Sequence, residues 1–384
     1  MSESQVPKTI VARLWGMAGG RCEFEGCNIP LWRDSVTRST INKAYVAHII
    51  SDKPDGWRGH PVLSEKLKKS LSNLMLLCDE HHRRIDCRSG VIEYPVNRLT
   101  DMKKQHEQRI ELLTEIQPEK QSEVLLYGAS IGEHTAHVTY EKAAIAMIPE
   151  RYPARSSGIA LGLLRSCEED RTAEFWSAET RNLCSLYTRY VKKPLQDGHI
   201  SHMSIFAHAP QPLLMLLGYL ISDIPAADVY QLHREPPDWC WQESRERFRF
   251  VVTRPKTYHK DVAIKLALSD KIEQSRIDKV LPSPYSTYTV SIRNPNNDFL
   301  KSKKQLQQFR ELMRPLLGEI KLKHGEDAVL HVFPAAPVAV AVEFGRIIMP
   351  KAALVTRIYD QNWKLGGFSF ALQLPPQKSL EPQQ

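Results

Sequence analysis

Two short ligand pairs set the strongest limit on what this 384-residue chain can fold into: Cys22-x4-Cys27 and Cys78-x2-His81. Zinc takes four soft or borderline donors in a tetrahedron, most often supplied as two closely spaced pairs. Cys22 and Cys27 flank Glu-Phe-Glu-Gly, and Gly26 permits the tight backbone of a knuckle. Cys78 and His81 fall where an apolar, strand-like run gives way to a polar, helix-like one. Buried apolar cysteines would not need ligand spacing in both pairs, so a structural Zn2+ held by Cys22, Cys27, Cys78 and His81 is the stronger reading.

The neighbouring polar residues suit a different ion. His82 and Asp86 are four apart, so on a helix they share one face. Imidazole plus carboxylate suits Mg2+ or a similar divalent metal at a phosphodiester. His48 sits in the apolar run Tyr45–Ile50. A lone histidine there is usually a satisfied core residue, but imidazole titrates near neutrality, which also suits a general base. Asn73 precedes His82 by nine residues and could orient the loop or ring that carries the base, or simply form a turn.

In order and spacing, His48, Asn73 and His82 resemble the HNH, or ββα-metal, endonucleases, whose zinc-bearing subgroup has the same two flanking ligand pairs. The resemblance implies His48 as general base, Asn73 as its orienting residue, and His82 with Asp86 as ligands of the catalytic metal. The stretch Leu99–Leu113 is similar to the closing helix of such domains. One departure is Ala47, where many members carry a further metal ligand just before the base. A water, a substrate phosphate or another side chain would have to complete the coordination.

Charge points to a polyanionic partner. The formal net charge is +8, with Lys and Arg at 52 against Asp and Glu at 44. Residues 1–120 hold 19 basic and 16 acidic side chains, so clusters matter more than totals. Arg83, Arg84 and Arg88 lie beside His82, and Lys66, Lys68 and Lys69 form a second group; each reads as a solvated face or as a phosphate grip on double-stranded DNA. The remaining cysteines, Cys87, Cys167, Cys184 and Cys240, show no disulfide rhythm, and the opening residues no apolar leader. A cytoplasmic protein is expected. No apolar run reaches the roughly 20 residues of a membrane span; the longest, Pro212–Ile221, reads as a core helix.

Beyond a polar, proline-bearing stretch at 116–123, read as a linker or helix extension, an internal repeat emerges. Phe206, Pro210 and Gly218 map onto Phe333, Pro337 and Gly345 at one offset of 127 residues. Each copy reads as strand, small or proline loop, helix, then glycine, followed by a second strand at Asp228–His233 or Leu354–Tyr359. Between them a helical period runs from Asp298 to Ile320, with a kink expected at Pro315. Repeated parallel βαβ units place a ligand at the carboxyl ends of their strands, here in a pseudo-symmetric cleft. The loops 207–212 and 333–337 lie there, with Tyr230, Trp239, Trp241 and Tyr359 nearby in sequence as stacking candidates and at least one of the two tryptophans expected at the surface.

The segments Pro210–Leu214, Arg234–Trp239, His331–Pro337 and Gly345-Arg346 are similar to recurring stretches of the SAVED domain, two fused CARF-like halves that sense cyclic oligonucleotides. The resemblance implies a ligand pocket using Pro210, Gln211, Arg234, Trp239, Trp241, Phe333, Pro334, Ala335 and Tyr359. HNH followed by SAVED resembles the effector nucleases of CBASS, the bacterial anti-phage system in which a cGAS/DncV-like cyclase makes a cyclic nucleotide alarm. The expected fold is an α+β ββα-metal (HNH) domain at 1–120, an α/β domain of two fused CARF/Rossmann-like halves at 125–250 and 251–375, and a disordered tail at 376–384. The expected activity is metal-dependent cleavage of duplex DNA, switched on by a cyclic di- or trinucleotide through self-association. Rival readings are a restriction-like HNH nuclease whose C-terminal part reads modified DNA, and a zinc knuckle that only docks.

Overall fold

The computed structural model describes residues 6–129, 138–162, 172–242, 248–349, 353–362 and 366–376. The chain divides into two compact units, residues 1–117 and 118–384. Most of the tail and Cys167 lie outside the described residues.

The first unit opens with helix α1 (Lys8–Met17). Strands β1 (Ala44–His48) and β2 (Leu74–Cys78) pair antiparallel, Ala44 opposite Cys78 and His48 opposite Leu74. Helix α2 (Asp79–Ile85) follows β2 directly, and α3 (Val96–Thr114) closes the unit, spanning the helix expected at 99–113. Every residue of β2 is buried, which explains its unbroken Leu-Met-Leu-Leu run. Leu14, Leu31, Ile85, Tyr94, Leu99 and Met102 complete the core.

In the second unit, strands β3 (Gln121–Gly128), β4 (Tyr152–Pro153), β5 (Ile159–Leu161), β6 (Met203–His208) and β7 (Ala227–Val229) form one sheet, all pairing in parallel. A second sheet has the order β13-β12-β11-β9-β10-β8, from β8 (Phe250–Thr253), β9 (Asp261–Ala267), β10 (Ser286–Ile292), β11 (Val329–Ala335), β12 (Val355–Asn362) and β13 (Gly367–Leu374). Its four inner strands are parallel and its two edges antiparallel. The stretch expected as a linker is corrected here. Pro118–Lys120 makes one turn, and residues 121–123 already belong to β3, because the Glu123 backbone pairs beside Met203 and Ser122 is buried against His202.

The repeat is physical. Helix α4 (Gln211–Ile221) follows β6 and is buried along most of its length; α6 (Val338–Ile347) follows β11. Pro210 and Pro337 each stand just before their helix, where a missing N–H costs nothing. The two helices cross through their glycines. A Cβ on Gly218 would sit 1.9 Å from the Val342 carbonyl oxygen and 2.8 Å from the Arg346 nitrogen; one on Gly345 would sit 1.9 Å from the Met215 oxygen and 2.9 Å from the Tyr219 nitrogen. Val342 and Arg346 are the 127-residue counterparts of Met215 and Tyr219, so the crossing has a pseudo-two-fold axis. Between these units α5 (Lys303–His324) begins five residues later than its periodicity predicts, because Ser302 and Gln305 form a capping box. It runs through Pro315 without a break.

Candidate functional site

In the first unit the four predicted zinc ligands converge. One ligand atom from each of Cys22, Cys27, Cys78 and His81 lies within 4.8 Å of all the others. The His81 Nδ1 stands 3.0 Å from the Cys78 sulfur and 3.9 Å from the Cys22 sulfur. Gly26 turns the knuckle at φ +78°, and Phe24 stacks on the His81 ring at 4.0 Å. Burial pushes the Cys22 and Cys78 thiols up and the His81 imidazole down. Buried thiols crowded together resist ionising alone, and a divalent cation among them removes that penalty. Neutral imidazole is likewise the ligand form, so the donor set fits a tetrahedral ion.

His48, His82 and Asp86 line one cavity of about 590 Å³. The cavity exists because β1 ends at His48 while α2 runs alongside, stacking Tyr45 on His82 at 4.9 Å. The His82 Nε2 and an Asp86 carboxylate oxygen lie 3.5 Å apart. Neighbouring ligands of an octahedral ion with bonds of ~2.1 Å sit about 3 Å apart, so the pair can share one cation. Burial holds His82 below its ordinary range against the pull of Asp86, again favouring the neutral ligand. The His48 Nε2 lies 2.9 Å from the Lys68 carbonyl oxygen. A carbonyl only accepts, so in neutral imidazole Nε2 carries the proton and Nδ1 keeps the lone pair. Asn73 brackets Ile50, accepting from its N–H at 2.7 Å and donating to its carbonyl at 2.9 Å. It therefore fixes the chain just after His48 rather than touching the ring. Ala47 is buried in the core.

Sequence reasoning missed Arg58. Its side chain is buried; Nε donates to the Ile49 carbonyl at 2.9 Å and Nη2 to Asp86 at 2.7 Å, with the His48 carbonyl at 3.4 Å. It ties the strand end carrying His48 to the helix end carrying Asp86. An arginine framed by glycines, Gly56-Trp57-Arg58-Gly59, was the available signal. The basic cluster lies elsewhere: Arg83 is paired with Asp79 and Arg84 with Glu93 at the surface, Arg88 is exposed, and none of the three lines the cavity.

In the second unit the two predicted loops do meet. The Gln211 side chain accepts from the Ala336 N–H at 3.0 Å, and Gln231 accepts from the Ala339 N–H at 3.1 Å. Several candidates are core residues, and neither tryptophan is fully exposed, which corrects the expectation of one at the surface. Phe333 is buried and stacks on buried Tyr359 at 4.6 Å; Trp239, 1% exposed, packs edge-on against Phe206 at 5.4 Å; Pro210 and Pro334 are buried too. Gln211, Ala335 and Trp241 are half-buried and Arg234 is exposed. Trp241 stands 5.8 Å from buried His233, and its Nε1 and both His233 ring nitrogens are buried without a hydrogen-bond partner among the described residues. Such atoms cost free energy until something pairs with them.

A family model, the SMODS-associated and fused to various effectors sensor domain, matches residues 185–374, so a SAVED domain occupies that stretch. No curated protein matches the chain. Among solved structures, the Acinetobacter baumannii Cap4 SAVED/CARF-domain containing receptor with the cyclic trinucleotide 2'3'3'-cAAA is 13% identical, with a TM-score of 0.43 over 75% of this chain. The Moraxella osloensis Cap4 receptor is 12% identical, with a TM-score of 0.39 over 74%. The chain spans 62% and 63% of those two proteins' lengths. Among the described residues no helix is long and apolar enough to cross a membrane.

Proposed function

We propose that this protein is a metal-dependent DNA endonuclease, activated when a cyclic di- or trinucleotide binds its SAVED domain, and that it serves as an anti-phage effector of a CBASS system. The observation that carries the nuclease half is the convergence of His48, His82 and Asp86 on one cavity, in the same unit as four Cys and His donors that stand within reach of one ion. His82 and Asp86 would hold the catalytic divalent ion. When bound, that ion supplies positive charge for the phosphate and the leaving oxygen.

The chain's own residues supply the rest. Nδ1 of His48 takes a proton from the attacking water while Nε2 stays anchored on the Lys68 carbonyl. Asn73 holds the chain after the base, and Arg58 keeps the base-bearing strand in register with Asp86. The sensor half is supported by the SAVED match, by the pseudo-two-fold helix crossing, and by the unpartnered polar atoms at His233 and Trp241. A cyclase product is the activator in this reading, and self-association brings several weak-binding nuclease units onto one duplex. The direct test is His48→Ala. With a panel of cyclic di- and trinucleotides supplying the activator, plasmid cleavage in Mg2+ should fall by ~10²-fold or more, with the melting curve unchanged. Near-normal cleavage would remove His48 from the mechanism.

A further inference from the structure

One side chain at the cleft has no role in that chemistry. Trp57 lines the same cavity as His48 and His82, yet it is 64% exposed. Tryptophan offers a large apolar face, so leaving it in water forgoes substantial burial.

The segment that carries it is built to hold still. A Cβ on Gly56 would lie 2.0 Å from the Ser51 hydroxyl oxygen, and one on Gly59 would lie 2.2 Å from the Pro54 carbonyl oxygen and 2.6 Å from that of Lys53. Only glycine fits at either place. Backbone bonds close the turn: Gly56 N–H to the Lys53 carbonyl at 3.1 Å, and Gly59 N–H to the Gly56 carbonyl at 2.8 Å. The next residue, Arg58, is the buried anchor to β1 and to Asp86. The backbone that carries the exposed ring is thus held relative to the groups of the proposed active site, so only the side-chain rotamer remains to be ordered on a ligand.

We propose that the segment 51–59 is a duplex-DNA contact element in which Trp57 stacks on, or wedges between, bases next to the bond being cut. The inference rests on the nuclease reading and deepens it. A ring beside a phosphodiester site has nucleobases as its nearest stacking partners. Lys53 on the same segment also lines the cavity, with Asp52 beside it. A wedge unstacks a base step most cheaply at flexible pyrimidine–purine steps, so cutting should favour them.

The test uses the full zinc-loaded chain with a mixture of cyclic di- and trinucleotides present throughout, because the nuclease is silent without its activator. Duplex binding is read from the anisotropy of a fluorescein-labelled duplex in Mg2+, in a His48→Ala background that prevents cutting. Adding Trp57→Ala should weaken binding roughly tenfold, and Trp57→Phe should restore most of it. Because the ring is exposed, the melting temperature should not move. In the protein with His48 intact, Trp57→Ala should raise the KM for plasmid and erase the preference for pyrimidine–purine steps. If the protein cuts plasmid and Trp57→Ala binds and cuts as well as its parent, the contact role is overturned and the nuclease reading stands. If the parent neither binds nor cuts DNA, both fall.

Discussion

Trp239 and Trp241 are two residues apart and do different work. Trp239 fills the core against Phe206, while Trp241 is half-buried with an unpartnered indole N–H beside His233. Trp239→Ala should therefore cost about 3–5 kcal/mol of stability. Trp241→Ala should weaken cyclic oligonucleotide binding by ~1–3 kcal/mol, with the smaller change in melting temperature. Calorimetry and thermal melts on the two variants separate these outcomes; equal affinity loss in both would mean that neither ring is specific to the ligand. The sequence could not tell the two apart, because which aromatic faces the core depends on where residues 230–242 turn. For the same reason Tyr359 read as a stacking candidate but is buried against Phe333. The Cys and His donor set was legible because ligand spacing is a local property. Arg58 was only hinted at by its flanking glycines, since its tie to Asp86, 28 residues on, appears only in the fold.

At the scale of elements, the three-residue repeat was legible because both glycines answer one constraint. Each helix presents its glycine to the other's backbone, and each would meet a carbonyl oxygen at 1.9 Å if it carried a Cβ. Gly218→Ala or Gly345→Ala should therefore destabilise the second unit by about 1–3 kcal/mol or more, read as a lower denaturation midpoint. Unchanged stability in both would mean that the crossing is loose. The start of β3 was not legible, because a polar stretch carrying Ser122 and Glu123 gives no sign that it pairs with β6. In the first unit the knuckle, β2 and α2 are joined through Cys22, Cys27, Cys78 and His81. Cys22→Ser should lower the melting temperature of this unit, since a structural zinc contributes folding free energy. Elemental analysis should find one zinc per folded chain; a folded, active sample with none would remove the zinc from the account.

At the scale of the whole molecule, a small cleft lined by His48, His82 and Asp86 stands in one unit, and a SAVED domain in the other. The net charge of +8 suits a polyanionic substrate but does not say when it is cut. In the proposed function, control comes from the SAVED-bearing unit. The most direct measurement is plasmid degradation by the full chain in Mg2+, with and without a panel of cyclic di- and trinucleotides. The account predicts intact plasmid with metal alone, and degradation when one cyclic nucleotide is added. Degradation that proceeds equally without any cyclic nucleotide, or a 118–384 unit that grips duplex DNA and ignores the panel, would contradict it.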